Sequence, residues 1–406
     1  MGNIQKELDW IERAIDDFAE TSIRGGEYWR ASYTEEDRMG IEMLTSWMEE
    51  AGMEVYMDDI CNLFGRIEGE SDAIIMTGSN RDTVKHAGKY GGALGILCSL
   101  EAVRALYEEF GKPKKSVEVV ATVEEEASRF NRGYNLGSRG IVGELVEEDL
   151  RSTDMNGITL REAIADMSDS ADIEGVPEGR TDIEHFVELS AEMGGVMEKS
   201  LKKVGLVQSI AGNMIGEIVI TGEQNHAGTT PMSMRRDPVP VAAKLIDEIT
   251  SWAEDRNDRV VCTFGNIEVY PGKQNIIAEK VRMTFDIRST NASLLSEARS
   301  IMKDHENAMG DINVEVTVTG TDDPADMDLD GVLVMRDIAA AHDMKYMRID
   351  SGAGHDAQVF ADVTKSNMIF VPSEKGIAHS PLEYTSREDL EQGYVLLKEY
   401  LKKLAW

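Results

Sequence analysis

Two polar clusters hold the side chains best suited to chemistry. One is Asn80-Arg81-Asp82-Thr83-Val84-Lys85-His86, and the other is Glu124-Glu125-Glu126-Ala127-Ser128-Arg129-Phe130. Each lies just after an apolar run, 73–77 (AIIMT) and 117–123 (VEVVATV), as residues at the ends of buried strands do. Three adjacent carboxyls can move protons. Like charges disfavour ionisation, so Glu125, between Glu124 and Glu126, is expected to hold its proton to higher pH than an ordinary glutamate. That suits a general base working near neutrality. An acidic run is otherwise a solvated face, but its place at the end of an apolar strand beside Arg129 and Phe130 favours a cleft. His86 and His185 stand alone, and each reads as a surface or hydrogen-bonded histidine before a metal ligand.

The elements around these clusters follow a recognisable order. Ile4, Leu8, Ile11, Ile15 and Phe18 recur at three- and four-residue intervals, which predicts a helix over 4–20, and a second helix is expected near 35–52. The runs at 73–77 and 117–123 flank the helix-compatible GGALGILCSLEAVRALYEEFG, a strand-helix-strand unit that implies a parallel sheet. Ligands of such sheets bind beyond the carboxyl ends of the strands, where both polar clusters fall. Residues 211–324 have their own pattern: a strand at 211–222, a helix near 239–255, strands near 260–269 and 280–288, and a helix near 293–306. This reads as an inserted domain, leaving 1–210 and 325–406 as one discontinuous domain closed by a helix at 387–404.

Composition narrows the function. The 406 residues carry 42 Lys+Arg against 75 Asp+Glu, a formal net charge of −33, which repels phosphate backbones and anionic lipid. Nucleic acid and membrane are therefore not expected partners, and dispersed acidity reads as solubility in a salty cytoplasm. Cys61, Cys98 and Cys262 show no CxxC spacing, which fits a reducing compartment. No apolar stretch approaches the roughly 20 residues needed to span a bilayer, so a cytoplasmic protein is expected.

Several strings, in order over most of the chain, resemble the N-carbamoyl-L-amino-acid hydrolase and allantoate amidohydrolase branch of the zinc aminoacylase-type metallohydrolases. They are TGSNRDTV (77–84), KYGGALGILCSLE (89–101), EEEASRF (124–130), VELSAEMGGVME (187–198), NHAGTTPMSMRRDP (225–238), FDIRS (285–289), SGAGHDAQ (351–358) and PSEKGIAHSPLEYT (372–385). The resemblance implies a two-domain α/β fold. A mixed, mostly parallel sheet flanked by helices would carry an inserted α+β lid and dimerisation domain, with a homodimer formed through that insertion.

The family holds two divalent ions through three histidines, a glutamate and a bridging aspartate. At three of those positions this chain has Asn80, Gly91 and Ser190, the last within a segment where the family reads ELHIEQG. Glu126 and His379 remain, both on the same ion in the family's arrangement. A catalytic zinc ordinarily has three protein ligands plus water, so the expectation is no tightly bound metal, or one zinc, manganese or nickel ion. The resemblance also makes Glu125 the general base, Asp82 a catalytic-site residue retained without the histidine it would orient, and His226 the oxyanion donor. Asn275 and Arg288 would bind a substrate carboxylate, with Gly352 and Gly354 in a loop approaching the substrate and His355 in support.

Three functions remain open on these residues. The first is hydrolysis of a C–N bond in a small N-carbamoyl or amide-substituted amino acid. The second is metal-independent acid/base chemistry on a small carboxylate, as a lyase, isomerase or hydrolase. The third is non-catalytic binding of a small carboxylate.

Overall fold

The computed structural model describes residues 2–130, 134–168, 175–308 and 312–406. It divides into two compact units, Met1–Gln208 with Asp326–Trp406, and Ser209–Ala325.

In the first unit the sheet runs Val204–Ile210, Lys365–Pro372, Ile183–Glu192, Ser71–Asn80, Lys115–Thr122, Leu63–Ile67 and Glu54–Met57. Its four central strands, Lys365–Pro372 to Lys115–Thr122, are mutually parallel, and the flanking pairs are antiparallel. Central strands buried on both faces need near-continuous apolar sequence, as 73–77 and 117–123 show. Helices cover both faces: His185 meets Tyr400 of the helix Arg387–Ala405, while its neighbour Phe186 stacks on Phe360 of Asp356–Ala361 with ring centroids 4.1 Å apart. The architecture is the mixed, helix-flanked α/β fold expected from the sequence.

The amphipathic stripe forms the helix Gly2–Glu20, burying Leu8, Ile11, Ile15 and Phe18 completely or nearly so. It packs on the helix Gly91–Phe110, which lies against the Ser71–Asn80 and Ile183–Glu192 strands. The glycines of that helix allow the close approach: a Cβ on Gly92 would lie 2.0 Å from the Asn80 carbonyl, and one on Gly95 2.4 Å from that of Leu189.

In the second unit the helices Pro238–Glu254 and Ala292–Ala308 pack on a sheet ordered Val261–Thr263, Lys280–Ser289, Gly212–Thr221, Asn313–Asp322. The core joins Leu245, Ile249, Met283, Ile287, Ala298 and Met302, each fully buried. The single strand expected at 260–269 is two short ones, Val261–Thr263 and Ile267–Tyr270, both paired with Lys280–Ser289. Among the described residues no helix is long and apolar enough to cross a membrane.

Candidate active site

Parallel strands place their carboxyl ends at one edge, and the first unit gathers its chemistry there. Asn80 ends one strand opposite Thr122, which ends the next. Ser190 lies near the end of the third opposite Phe370, and Pro372 ends the fourth ahead of His379.

Asp82 organises the edge. Its buried carboxylate accepts the Glu125 N–H at 3.1 Å and the Glu126 N–H at 3.2 Å. Glu124 and Ala127 adopt φ of 53° and 50°, the left-handed turns that bracket those two amides. Burial, followed by Glu124 and Glu126, pushes the Asp82 carboxyl up to about 8. Asn80 turns its Nδ2 to the Asp82 carbonyl at 3.0 Å. Sequence reasoning left Asp82 with nothing to orient, whereas the structure makes it the anchor of the glutamate loop.

The three glutamates have different duties. Glu124 is structural, accepting from Ser128 Oγ, Arg129 N and Phe130 N. Glu125 is buried and its carboxyl is held well above the ordinary range, first by burial and then by Glu126, Asp356, Asp82 and Glu188. The raised proton affinity is as expected, but its leading cause is desolvation, and Glu124 is not among the main contributors. Glu126 faces His379 with Oε1 3.3 Å from Nε2, which raises the histidine's pKa.

Three carboxyls here were missed by the sequence reading. Glu188 accepts from Ser79 Oγ at 2.9 Å and Ala357 N at 2.9 Å, and burial raises it to about 8. Asp356 accepts from Thr122 Oγ1, leaves Oδ1 without a partner, and is raised to about 6 by burial. Glu383 Oε2 accepts from the Tyr90 and Gly91 amides, each at 3.3 Å. A usable signal existed: all three are carboxyls inside the strings that carry the family resemblance.

Asp82, Gly91, Glu126, His379 and Glu383 line one cleft. A Cβ on Gly91 would meet no atom within 4 Å. The donors do not fit a pair of ions. Asn80 is committed to Asp82, Gly91 has no side chain, Ser190 offers only a hydroxyl, and among the described residues no three His, Cys, Asp or Glu side chains are grouped to hold a metal. His86 pairs with Glu27 at 3.3 Å, and His185 bonds Asn367 and Tyr400, so neither adds a ligand.

Ser351, His355 and Glu188 form a row resembling a nucleophilic triad, with Ser351 Oγ 3.1 Å from His355 Nε2 and His355 Nδ1 4.0 Å from Glu188. Burial lowers His355 to about 3, too weak a base to activate a serine. The row instead braces the loop carrying Gly352 and Gly354.

Beneath the Asn80–Asp82 turn lie two buried guanidinium groups. Arg81 forks onto Asp37 at 2.7 and 3.3 Å. Arg30 donates to the Arg81 carbonyl at 2.6 Å, and to Phe18 O, Thr21 Oγ1 and Ser22 Oγ.

In the second unit His226 and Asn275 are neighbours. The Asn225–His226 strand pairs with Ile276–Ile277, and the Ala227 N–H bonds the Asn275 carbonyl at 3.0 Å. His226 is exposed, and its Nδ1 accepts from Gly228 N at 3.0 Å and Thr229 N at 3.3 Å. An accepting Nδ1 puts the proton of the neutral ring on Nε2, leaving a donor pointed outward. Arg288 lies elsewhere, forked onto Asp286 at 2.8–3.2 Å. Eight residues along its strand separate it from Lys280, about 26 Å at 3.3 Å per residue, and the His226 hairpin continues beyond that end. The structure thus joins His226 to Asn275 and sets Arg288 apart.

Fold and sequence together define a class. Over residues 68–403 the chain matches Peptidase family M20/M25/M40, and it belongs to that family. It is 35% identical over 385 residues to the N-carbamoyl-L-amino-acid amidohydrolase of Pseudomonas sp. (strain NS671), covering 92% of each chain. It is 35% identical over 417 residues to the allantoate amidohydrolase of Bacillus subtilis (strain 168), covering 99% of this chain and 100% of that one. A solved structure, an amidase of the hydantoinase/carbamoylase family from Burkholderia multivorans, superposes with a TM-score of 0.89 at 28% identity over 97% of both chains.

Proposed function

We propose that this protein hydrolyses a C–N bond in a small N-carbamoyl or amide-substituted amino acid, with Glu125 moving the proton. The observation that carries the reading is the Glu125 carboxyl, buried at the strand ends with its proton affinity raised by burial and by neighbouring acids. The ionised form takes a proton from water as the water's oxygen attacks the carbonyl carbon. The resulting acid then returns that proton to the departing nitrogen as the C–N bond breaks. The Nε2–H of His226 is assigned to the carbonyl oxygen that gains charge, and Arg288 and Asn275 to the substrate carboxylate.

One chain cannot bring His226 and Arg288 to the same small molecule, given their separation along the strand. This supports a homodimer whose sites each draw His226, and Asn275 beside it, from the partner. At most one divalent ion is proposed, on Glu126 and His379, and the proton transfers above are assigned to side chains alone. The raised proton affinity of Glu125 also favours the second reading, metal-independent acid/base chemistry on a small carboxylate in the same pocket.

Complementation tests the shared site. Glu125→Gln and His226→Ala proteins, each inactive alone, should regain activity when unfolded together and refolded, because a mixed dimer holds one intact pair. No recovery despite mixed dimers would refute the arrangement.

A further inference from the structure

We propose that Arg235 is a positioning residue for the reaction, holding the turn after His226 so that the ring keeps its outward proton; this rests on the oxyanion role given to His226 above. His226 opens a tight turn. Its carbonyl accepts the Thr230 N–H at 3.2 Å and the Thr230 hydroxyl at 2.8 Å, and the chain, folding back within four residues, brings the Gly228 and Thr229 amides onto Nδ1. Those two amides select the tautomer, because a donor facing Nδ1 leaves no place for a proton there.

Packing does not hold this turn. None of residues 225–230 is buried, and hydrogen bonds open to water restrain a loop only weakly. Arg235 supplies the restraint. Its Nε donates to the Thr230 carbonyl at 3.1 Å and its Nη2 to the Ala227 carbonyl at 2.5 Å, the carbonyls on either side of the Gly228 and Thr229 pair. Both contacts go to the main chain and not to a carboxylate, and a guanidinium spans two acceptors with a fixed fork, as the point donor of a lysine does not.

The base of the fork is anchored in turn. The Arg236 carbonyl accepts the Glu223 N–H at 2.8 Å, and a Cβ on Gly222 would lie 2.1 Å from that oxygen, so the strand end and the 235–236 backbone are in close contact. Asp237 then caps the helix Pro238–Glu254, accepting the Val239 N–H at 3.1 Å, with Pro238 in its first turn. One arginine thereby ties the His226 turn to a strand end and a helix start of the second unit.

The test is 15N NMR of the full-length protein labelled in its seven histidine rings, with His226→Ala identifying the signal. The unaltered ring should carry its proton on Nε2 alone. Arg235→Ala should give both tautomers, and kcat for N-carbamoyl-L-alanine should fall about 10–100-fold, as for a misplaced catalytic group, with KM nearly unchanged because the lost interaction is made in the transition state. Arg235→Lys, which keeps the charge and decides the matter if the alanine variant does not fold, should show the same mixture to a smaller degree. A single Nε2–H tautomer in both variants, or a proton on Nδ1 in the unaltered protein, overturns the positioning role. Mixed tautomers with kcat unchanged would uphold the contact and overturn the oxyanion role it serves. Absence of turnover in the unaltered protein would count against the hydrolase reading, and the ring signals would still decide the role of Arg235.

Discussion

Asp82 and Glu125 are joined through the backbone, the Asp82 carboxylate accepting the Glu125 N–H at 3.1 Å while its other oxygen takes the Glu126 N–H. Asp82→Ala should therefore lower kcat more than it raises KM, because it loosens the base without touching the substrate. It should also destabilise the fold by about 1–3 kcal/mol for the amides left unsatisfied, readable in a urea titration. An unchanged kcat would show that the loop holds itself.

Glu125→Gln keeps the volume and removes the ionisation. Turnover should drop about 10²–10⁴-fold, the usual worth of a general base, with the thermal midpoint preserved. In the unaltered protein, kcat/KM should rise with pH through a limb displaced above the ordinary glutamate range, since Glu125 acts first as carboxylate. A limb at the ordinary glutamate position would contradict the buried setting.

Stability should fall as pH rises across the acid-to-neutral range. Asp82 goes from 3.8 to about 8 on folding, Glu188 from 4.5 to about 8, and Asp356 from 3.8 to about 6. The folded state therefore binds more protons than the unfolded chain, so the stabilisation is complete below pH 4 and is lost as pH climbs toward 8. Thermal midpoints at pH 5 should exceed those at pH 8, and Glu188→Gln should flatten the slope. A midpoint that rises over this interval would show that these groups ionise freely.

Asn80→His, Gly91→Asp and Ser190→His together should raise the bound divalent metal to about two ions per chain by elemental analysis, from at most one in the unaltered protein. No atom stands within 4 Å of a Cβ at Gly91, but its φ of 23° makes the aspartate the strained member of the three and a cost in stability is expected with it. Two tightly held ions in the unaltered protein would refute the single-ion proposal.

Arg288→Ala should raise KM for the N-carbamoyl amino acid at least about tenfold with little change in kcat, as loss of a charged, bidentate grip does. If KM stays fixed while stability falls, the arginine serves only its fork with Asp286.

The fold was legible because its signals are periodic. The 4–20 stripe, the two apolar runs and the glycine-spaced helix each map to one element. The strand expected at 260–269 broke because Phe264-Gly265-Asn266 interrupts the ladder, which an apolar count does not register. At the site, Glu125, Glu126 and His379 were readable as types at family spacing. The bond from Asp82 to two amides was not, since it depends on left-handed turns at Glu124 and Ala127 that nothing local requires. Glu188 and Asp356 were passed over because a carboxyl in a strand or at a helix start usually faces water. Only the three-dimensional packing shows both to be sealed in.

The guanidinium groups of Arg30 and Arg81 face one directly paired carboxylate, Asp37, so a positive layer sits under the acidic edge, out of reach of dissolved ions. Charges on the outer surface, with a net −33 over the whole chain, are screened over about 10 Å at 0.1 M salt. Salt therefore weakens the exterior charges far more than the buried ones. Exchanging charges on the outer surface should shift the proton affinity of Glu125 less than changing Glu126 or Asp356 beside it.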